Sequence, residues 1–263
     1  MAGKTEQEGT TGQKTSGKNG EGMVVERYTF LERTAHLVHL LCMFILLVTG
    51  LKIYLGWDFI IYDKARALHM IAASFFLAVN WILIPYNVFS CGGEACEIKF
   101  RINSFIDSYI FGPEDAKRLK AIILNFFGKG KYPAFSIYDA REGRYITKLH
   151  PLLKLLIILE STAIFLIAIT GIVLYDQNWS LFGLQFAHLI LAIFGVFAPF
   201  LNVPALGLVR LGHLIASYWF IFELIVHVGI LELDPKVWKY HKAIFWSGKE
   251  DLSDRNFVEI VGK

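Results

Sequence analysis

At 263 residues, with 55% hydrophobic and 15% aromatic content and a positive mean hydropathy, the chain is too apolar for an ordinary soluble domain and reads as an integral membrane protein. Its net charge of +3 follows from where the basic residues sit along the membrane segments, and gives no support for nucleic-acid binding. Three cysteines do not make a disulfide framework.

Residues 1–23 are dominated by Gly, Thr, Lys and Glu, with no apolar stretch and no cleavage pattern. They are expected to form a disordered cytoplasmic tail and not a secretory leader. The membrane domain is expected over 24–231, with spanning helices at 34–55, 66–88, 152–175 and 207–231. Each run exceeds or approaches the roughly 20 residues that cross a hydrocarbon layer of about 30 Å. Residues 90–149 form a loop, and 232–263 a C-terminal tail. Within the loop, Pro113-Glu114-Asp115 starts a helix whose Leu119, Ile122, Ile123, Phe126 and Phe127 recur at helical spacing, and Gly128 and Gly130 stop it. Lys117, Arg118 and Lys120 interleave with that stripe, as suits a helix on the membrane surface, against a partner, or packed on its own bundle. Cys91 and Cys96 lack two further ligands at metal-binding spacing and are expected to be free thiols.

The apolar stretch 181–201 is decided by charge. Lys and Arg number five in the first 33 residues, ten in 90–149 and six from 232 onward, but none between 176 and 206. The positive-inside rule then places both termini and the long loop in the cytoplasm, at the plasma membrane. An even number of spans follows, so 181–201 is an outer amphipathic or re-entrant segment. The fold class expected is all-α: a four-helix membrane bundle with that outer segment and a cytoplasmic surface helix. No internal repeat is apparent.

The histidines give the bundle a purpose. His213 and His227 lie fourteen residues apart in the last span, about four turns, so both share one face about 21 Å apart along the axis. A haem iron takes one axial nitrogen on each side, so such a helix can serve two stacked haems if partners stand at both depths. His36 opens the first span and matches the depth of His227; His69 opens the second and matches His213. The coherent assignment is two haems b, one between His36 and His227 and one between His69 and His213. His39 rivals His36 from one turn deeper, and Arg33 favours His36. His188 and His241 read as surface or partner-contact residues.

Arg33, Arg66 and Arg210 each precede a proposed ligand by three residues. One turn nearer the surface, each can pair with haem propionates, or simply snorkel to the interface. Gly50 and Gly171 can admit a porphyrin edge or serve close helix packing. A single membrane histidine is as well explained as a core residue or a proton relay, but four at two matched depths are not. A haem-free transporter would not need matched depths, and a purely structural anchor leaves the three Arg-x-x-His sets as coincidence.

With these residues in place the chain resembles the cytochrome b subunits of membrane-bound nickel-iron hydrogenases and of the related respiratory formate dehydrogenases, over nearly everything after residue 24. The resemblance rests on Glu32-Arg33-Thr34-Ala35-His36, Thr49-Gly50, Arg66-Ala67-Leu68-His69, Thr170-Gly171 and Val209-Arg210-Leu211-Gly212-His213 with Trp219 and His227. Residues 193–200 and Ile244-Phe245-Trp246-Ser247-Gly248 look like the hydrogenase branch, whereas Gly212, Leu214 and a short first loop depart from it.

That resemblance implies an iron-sulfur small subunit and a catalytic large subunit of a hydrogenase or formate dehydrogenase as partners, besides the membrane lipids. Electrons would enter at the outer haem, cross to the inner one and reduce a quinone-type carrier with protons from the cytoplasm. This chain alone would oxidise neither hydrogen nor formate. Tyr145, Lys148 and His150 are candidate carrier contacts or plain interfacial anchors. Glu160 and Glu223 are intramembrane carboxyls suited to proton delivery or to pairing between helices.

Overall fold

The computed structural model describes residues 23–89, 98–233, 238–253 and 257–262; Cys91, Cys96 and the tail before residue 23 lie outside these. Helix α1 spans Phe30–Leu55. Its N-terminus is a reciprocal cap, in which the Glu32 amide donates to Thr29 Oγ1 at 3.2 Å and the Thr29 amide to Glu32 Oε2 at 2.8 Å. Gly56, left-handed at φ 72°, ends it by donating to the Lys52 carbonyl at 2.9 Å. Helix α2 (Tyr62–Ala78) continues through a π-helical stretch, Val79–Leu83, into α3 (Ile84–Phe89). Pro85 supplies the reason: it has no amide for the preceding turn, and the widened turn absorbs the missing bond.

Two more helices, α4 (Ile98–Tyr109) and α5 (Pro113–Phe126), lead to a hairpin of β2 (Ser136–Asp139) and β3 (Arg144–Thr147). Helix α6 (Pro151–Tyr175) has Pro at its first position and His150 as cap, whose Nδ1 accepts from the Leu152 amide at 3.2 Å. Helix α7 (Phe186–Leu201) precedes α8 (Ala205–Leu233), and the chain ends in α9 (Trp238–Lys242), a π-helical turn (Ala243–Ser247), β4 (Lys249–Asp251) and β5 (Val258–Val261).

Four helices are long and apolar enough to cross a membrane: Phe30–Leu55, Tyr62–Asn87, Pro151–Tyr175 and Ala205–Gly229. They pack as two tight pairs, α1 with α2 and α6 with α8, and contact between the pairs is sparse. The end where α1 begins and α8 finishes is called proximal here, the other distal. At mid-depth the pairs meet through Phe76 and Phe220, edge to face at 5.8 Å between ring centres. Cys42, Met43, Ala163 and Ile164 complete that buried layer.

The chain is mostly helical, as expected, and short strands add to that expectation. A proximal cap contains β1 (Val24–Glu26) paired antiparallel with β4, and a sheet in the order β3-β2-β5 whose β2 and β5 run parallel. These strands have three or four residues, and β1–β4 and β2–β5 pair over long sequence separations, so no alternating run announces them. In the cap, Arg27 donates to Glu250 Oε2 at 2.5 Å, both side chains being sealed from solvent. Lys154 pairs with Asp115 at 3.1 Å and donates to the Asp107 carbonyl at 2.7 Å, which fastens α4 and α5 to α6. The stretch 181–201, expected as an outer segment, is a tight turn with Phe182 at φ 48°, then α7. At 16 residues, α7 is about 24 Å long, short of a span.

Candidate functional site

The gap between the two helix pairs is crossed by histidines near both ends. Proximally, the rings of His36 on α1 and His227 on α8 face each other at 6.4 Å between centroids, tilted by 34°. A metal held at about 2 Å from each nitrogen, with each nitrogen about 1.1 Å from its ring centre, requires a centroid separation of about 6.2 Å. The centroid separation of the pair is therefore that of two imidazoles with room for one metal ion between them. Its Nδ1 on His36 is buried without a hydrogen-bond partner, as is Nε1 of Trp219 on α8. No group of three or more metal-ligating side chains occurs among the described residues, and an axial pair does not need one.

His39 has other partners. Its Nδ1 lies 3.2 Å from the Asn80 amide nitrogen, and its Nε2 lies 3.4 Å from Glu160 Oε1. Both ring nitrogens are thus engaged one turn deeper than His36. Phe245, in the C-terminal π turn, packs edge-on against His36 at 5.4 Å. Nothing in its sequence context predicts that contact, because 209 residues separate the two.

The distal histidines are held by a repeated device. Thr49 Oγ1 lies 2.9 Å from His69 Nδ1 and donates its own proton to the Ile45 carbonyl at 2.6 Å. Thr170 Oγ1 lies 3.0 Å from His213 Nδ1 and donates to Leu166 at 2.6 Å. A hydroxyl has one proton, so in each pair the imidazole Nδ1–H is the donor and Nε2 is left with a free lone pair. That is the tautomer a metal ligand requires. Gly50 and Gly171 complete the device: a Cβ at either would sit 3.4 Å from the Cε1 of His69 or His213. The imidazole of the neighbouring helix lies against each glycine.

The two helix pairs are therefore a repeat that the sequence reading misses. Thr49-Gly50 and Thr170-Gly171 occupy like positions on α1 and α6, and Arg66, His69 and Phe76 on α2 match Arg210, His213 and Phe220 on α8. The matching residues are too few, and the connections too unequal, to register as sequence similarity.

The arginines lie at the bundle ends. Arg33 donates to the Trp246 carbonyl and its Nε is buried unpartnered. Arg66 donates to the Tyr175 carbonyl at 3.1 Å and covers that ring at 5.2 Å; Arg210 is exposed. Of the carrier candidates, Tyr145 donates to Glu250 at 2.5 Å and Lys148 to Glu32 at 2.5 Å, so both are tied into the proximal cap. His150 sits 3.1 Å from the Tyr132 hydroxyl, and burial lowers its pKa to about 4. His188 is exposed on α7, and His241 stacks near Phe245 at 6.5 Å.

Comparison with known proteins adds one finding. The chain is 60% identical over 246 residues, 94% of its length and 90% of the relative's, to a protein of Methanosarcina mazei named F420 non-reducing hydrogenase II cytochrome subunit. No family model matches the chain, and no solved structure matches it.

Proposed function

The chain belongs to the cytochrome subunits of hydrogenases, and from that premise we propose that it holds two haems b and carries electrons from an iron-sulfur partner subunit across the membrane to a quinone-type carrier. Haem supplies one-electron redox chemistry between imidazole pairs. His36 and His227 hold the proximal group, and His69 and His213 the distal one. The observation that carries this reading is the 6.4 Å separation of the His36 and His227 rings across the gap between the helix pairs.

Every other role belongs to the protein. Thr49 and Thr170 orient the distal imidazoles and fix their tautomer. Phe76 and Phe220 fill the layer between the two sites and exclude water from it. Arg33, Arg66 and Arg210 meet the propionates near the bundle ends. Charge asymmetry supports both termini on the cytoplasmic side of the plasma membrane. The hydrogenase partners then dock distally and the carrier is reduced proximally. The named relative favours hydrogen over formate as the ultimate donor.

The test is the haem content of the purified chain by pyridine haemochrome, with a reduced-minus-oxidised spectrum. Two low-spin haems b per chain are expected. None in properly inserted protein overturns the reading.

A further inference from the structure

Helix α5 is tied to the start of a spanning helix from both of its sides. In its first turn Asp115 accepts from Lys154 Nζ at 3.1 Å, and six residues past its end the Tyr132 hydroxyl lies 3.1 Å from His150 Nε2. His150 caps α6, and Lys154 stands in the first turn of that helix. At 25 residues, α6 is about 37 Å long, more than the roughly 30 Å of hydrocarbon it crosses, so its first turn stands among the headgroups. The stretch 115–132 therefore leaves and rejoins the bundle at the level of the membrane surface. Its turning point, Phe126, lies about 16 Å along α5 from Asp115.

That turning point is a finished structure and not a frayed end. The Lys129 amide donates to the Leu124 carbonyl at 2.8 Å, and the amide of Gly128, left-handed at φ 72°, donates to the Asn125 carbonyl at 2.9 Å. These are the two bonds of a Schellman stop. Asn125 Nδ2 adds a third, to the Gly130 carbonyl at 2.8 Å. Such a stop commonly sets an apolar residue, at the place held here by Lys129, against the side chain at the place of Leu124; with lysine there, Leu124 is left open. Phe126 and Phe127 are 77% and 70% exposed and meet edge to face at 5.8 Å. Ile123 is half exposed and shares one helix face with Phe127, four residues on, and with Lys120, one turn back. Lys120, Lys129 and Lys131 are exposed and, among the described residues, have no carboxylate within ion-pair distance, whereas Lys117 has Glu114 at 2.6 Å.

We propose that the tip of α5 is a second membrane-binding element, which sinks Ile123, Leu124, Phe126 and Phe127 into the leaflet at the proximal end and holds anionic headgroups with Lys120, Lys129 and Lys131. Large apolar side chains on a rigid tip, ringed by unpaired cations, complement an anionic lipid leaflet: the rings reach hydrocarbon, and the ammonium groups on their long apolar stems reach phosphate. A groove on another protein could take the rings, but the charge around them and the level of the tether favour lipid. Lys154 also donates to the Asp107 carbonyl of α4 at 2.7 Å, so lipid gripped at the tip braces α4, α5 and the start of α6 together. The element needs neither haem nor carrier.

The experiment places the full chain in lipid nanodiscs with 4-fluorophenylalanine at position 126 or 127, and at Phe165, an exposed residue in the middle of α6, as the reference for lipid. Fluorine relaxation is read with dissolved oxygen, which concentrates in hydrocarbon, and with a nickel chelate, which stays in water. In discs of phosphatidylcholine mixed with phosphatidylglycerol, both tip positions are expected to follow Phe165, relaxed by oxygen and shielded from nickel. In phosphatidylcholine alone, or with Lys120, Lys129 and Lys131 all changed to Gln, their relaxation by nickel is expected to rise severalfold while Phe165 is unchanged. Nickel-dominated relaxation at both tip positions in the anionic discs overturns the proposal, and needs no variant beyond the conservative label. Equal shielding in both lipids and in the lysine variant overturns the assignment to anionic lipid. Shielding that appears only when the chain is assembled with its partner subunits gives the tip to a protein and overturns the proposal as well.

Discussion

Thr49 holds His69 from the neighbouring helix through a 2.9 Å contact in which the hydroxyl can only accept, its proton being spent on the Ile45 carbonyl. Thr49→Val keeps the shape and removes the acceptor. Supporting groups of this kind are worth about 10- to 100-fold in ligand affinity. Distal haem is expected to be lost first when the variant is diluted in detergent, with the proximal spectral component unchanged. Equal retention of both haems would remove the positioning role.

His36→Ala is expected to leave one haem per chain, and His39→Ala two. The difference follows from the ring nitrogens of His39, which are already engaged by Asn80 and Glu160. Haem loss in His39→Ala with retention in His36→Ala would reverse the assignment.

At Gly171, one added carbon reaches ordinary contact with His213 Cε1 at 3.4 Å. Gly171→Ala is thus expected to be tolerated, whereas Gly171→Leu must push the imidazole aside. The leucine variant should purify with about one haem. Full loading would show that the helix pair yields more readily than its packing implies.

Burial lowers the pKa of His150 to about 4, so below the unfolded value of about 6.5 the unfolded chain binds the proton that the folded chain refuses. Stability conferred by this group is therefore whole well above pH 6.5, falls as pH drops, and is exhausted near pH 4. Between roughly pH 7 and pH 5 the loss amounts to about 2 kcal/mol. His150→Asn retains an acceptor for the Leu152 amide and should flatten that part of the pH dependence of Tm in detergent.

Lys154 and Asp115 form a buried pair that ties α5 to α6. Removing one partner strands the other charge at a cost of about 3–5 kcal/mol. Lys154→Met is expected to expose the α4 and α5 region to limited proteolysis while the two imidazole pairs stay loaded.

The four spans are legible in the sequence because length and apolarity alone decide them, and each observed helix meets both conditions. The cap is not legible. Glu250 means nothing until the fold carries it to Arg27 and Tyr145. The depth argument pairs His36 with His227, whose rings the fold brings to 6.4 Å between centroids. It leaves His39 open as a rival, since Asn80 lies 41 residues away and only folding discloses that it occupies the ring. Thr49 and Thr170 carry a recognisable motif but no visible role, because a hydroxyl's use depends on where its one proton goes.

Each proposed ligand pair draws one imidazole from α1 or α2 and the other from α8, while contact between the two helix pairs is otherwise sparse. Haem held in such a place would act as a staple between the helix pairs, its binding free energy adding to the stability of the joined state by mass action. A cell short of haem would accumulate chains whose halves are joined by the Phe76–Phe220 layer and the proximal cap without that staple, and more open to membrane proteases. Haem supply would thereby set the amount of this subunit that survives, with no dedicated regulator.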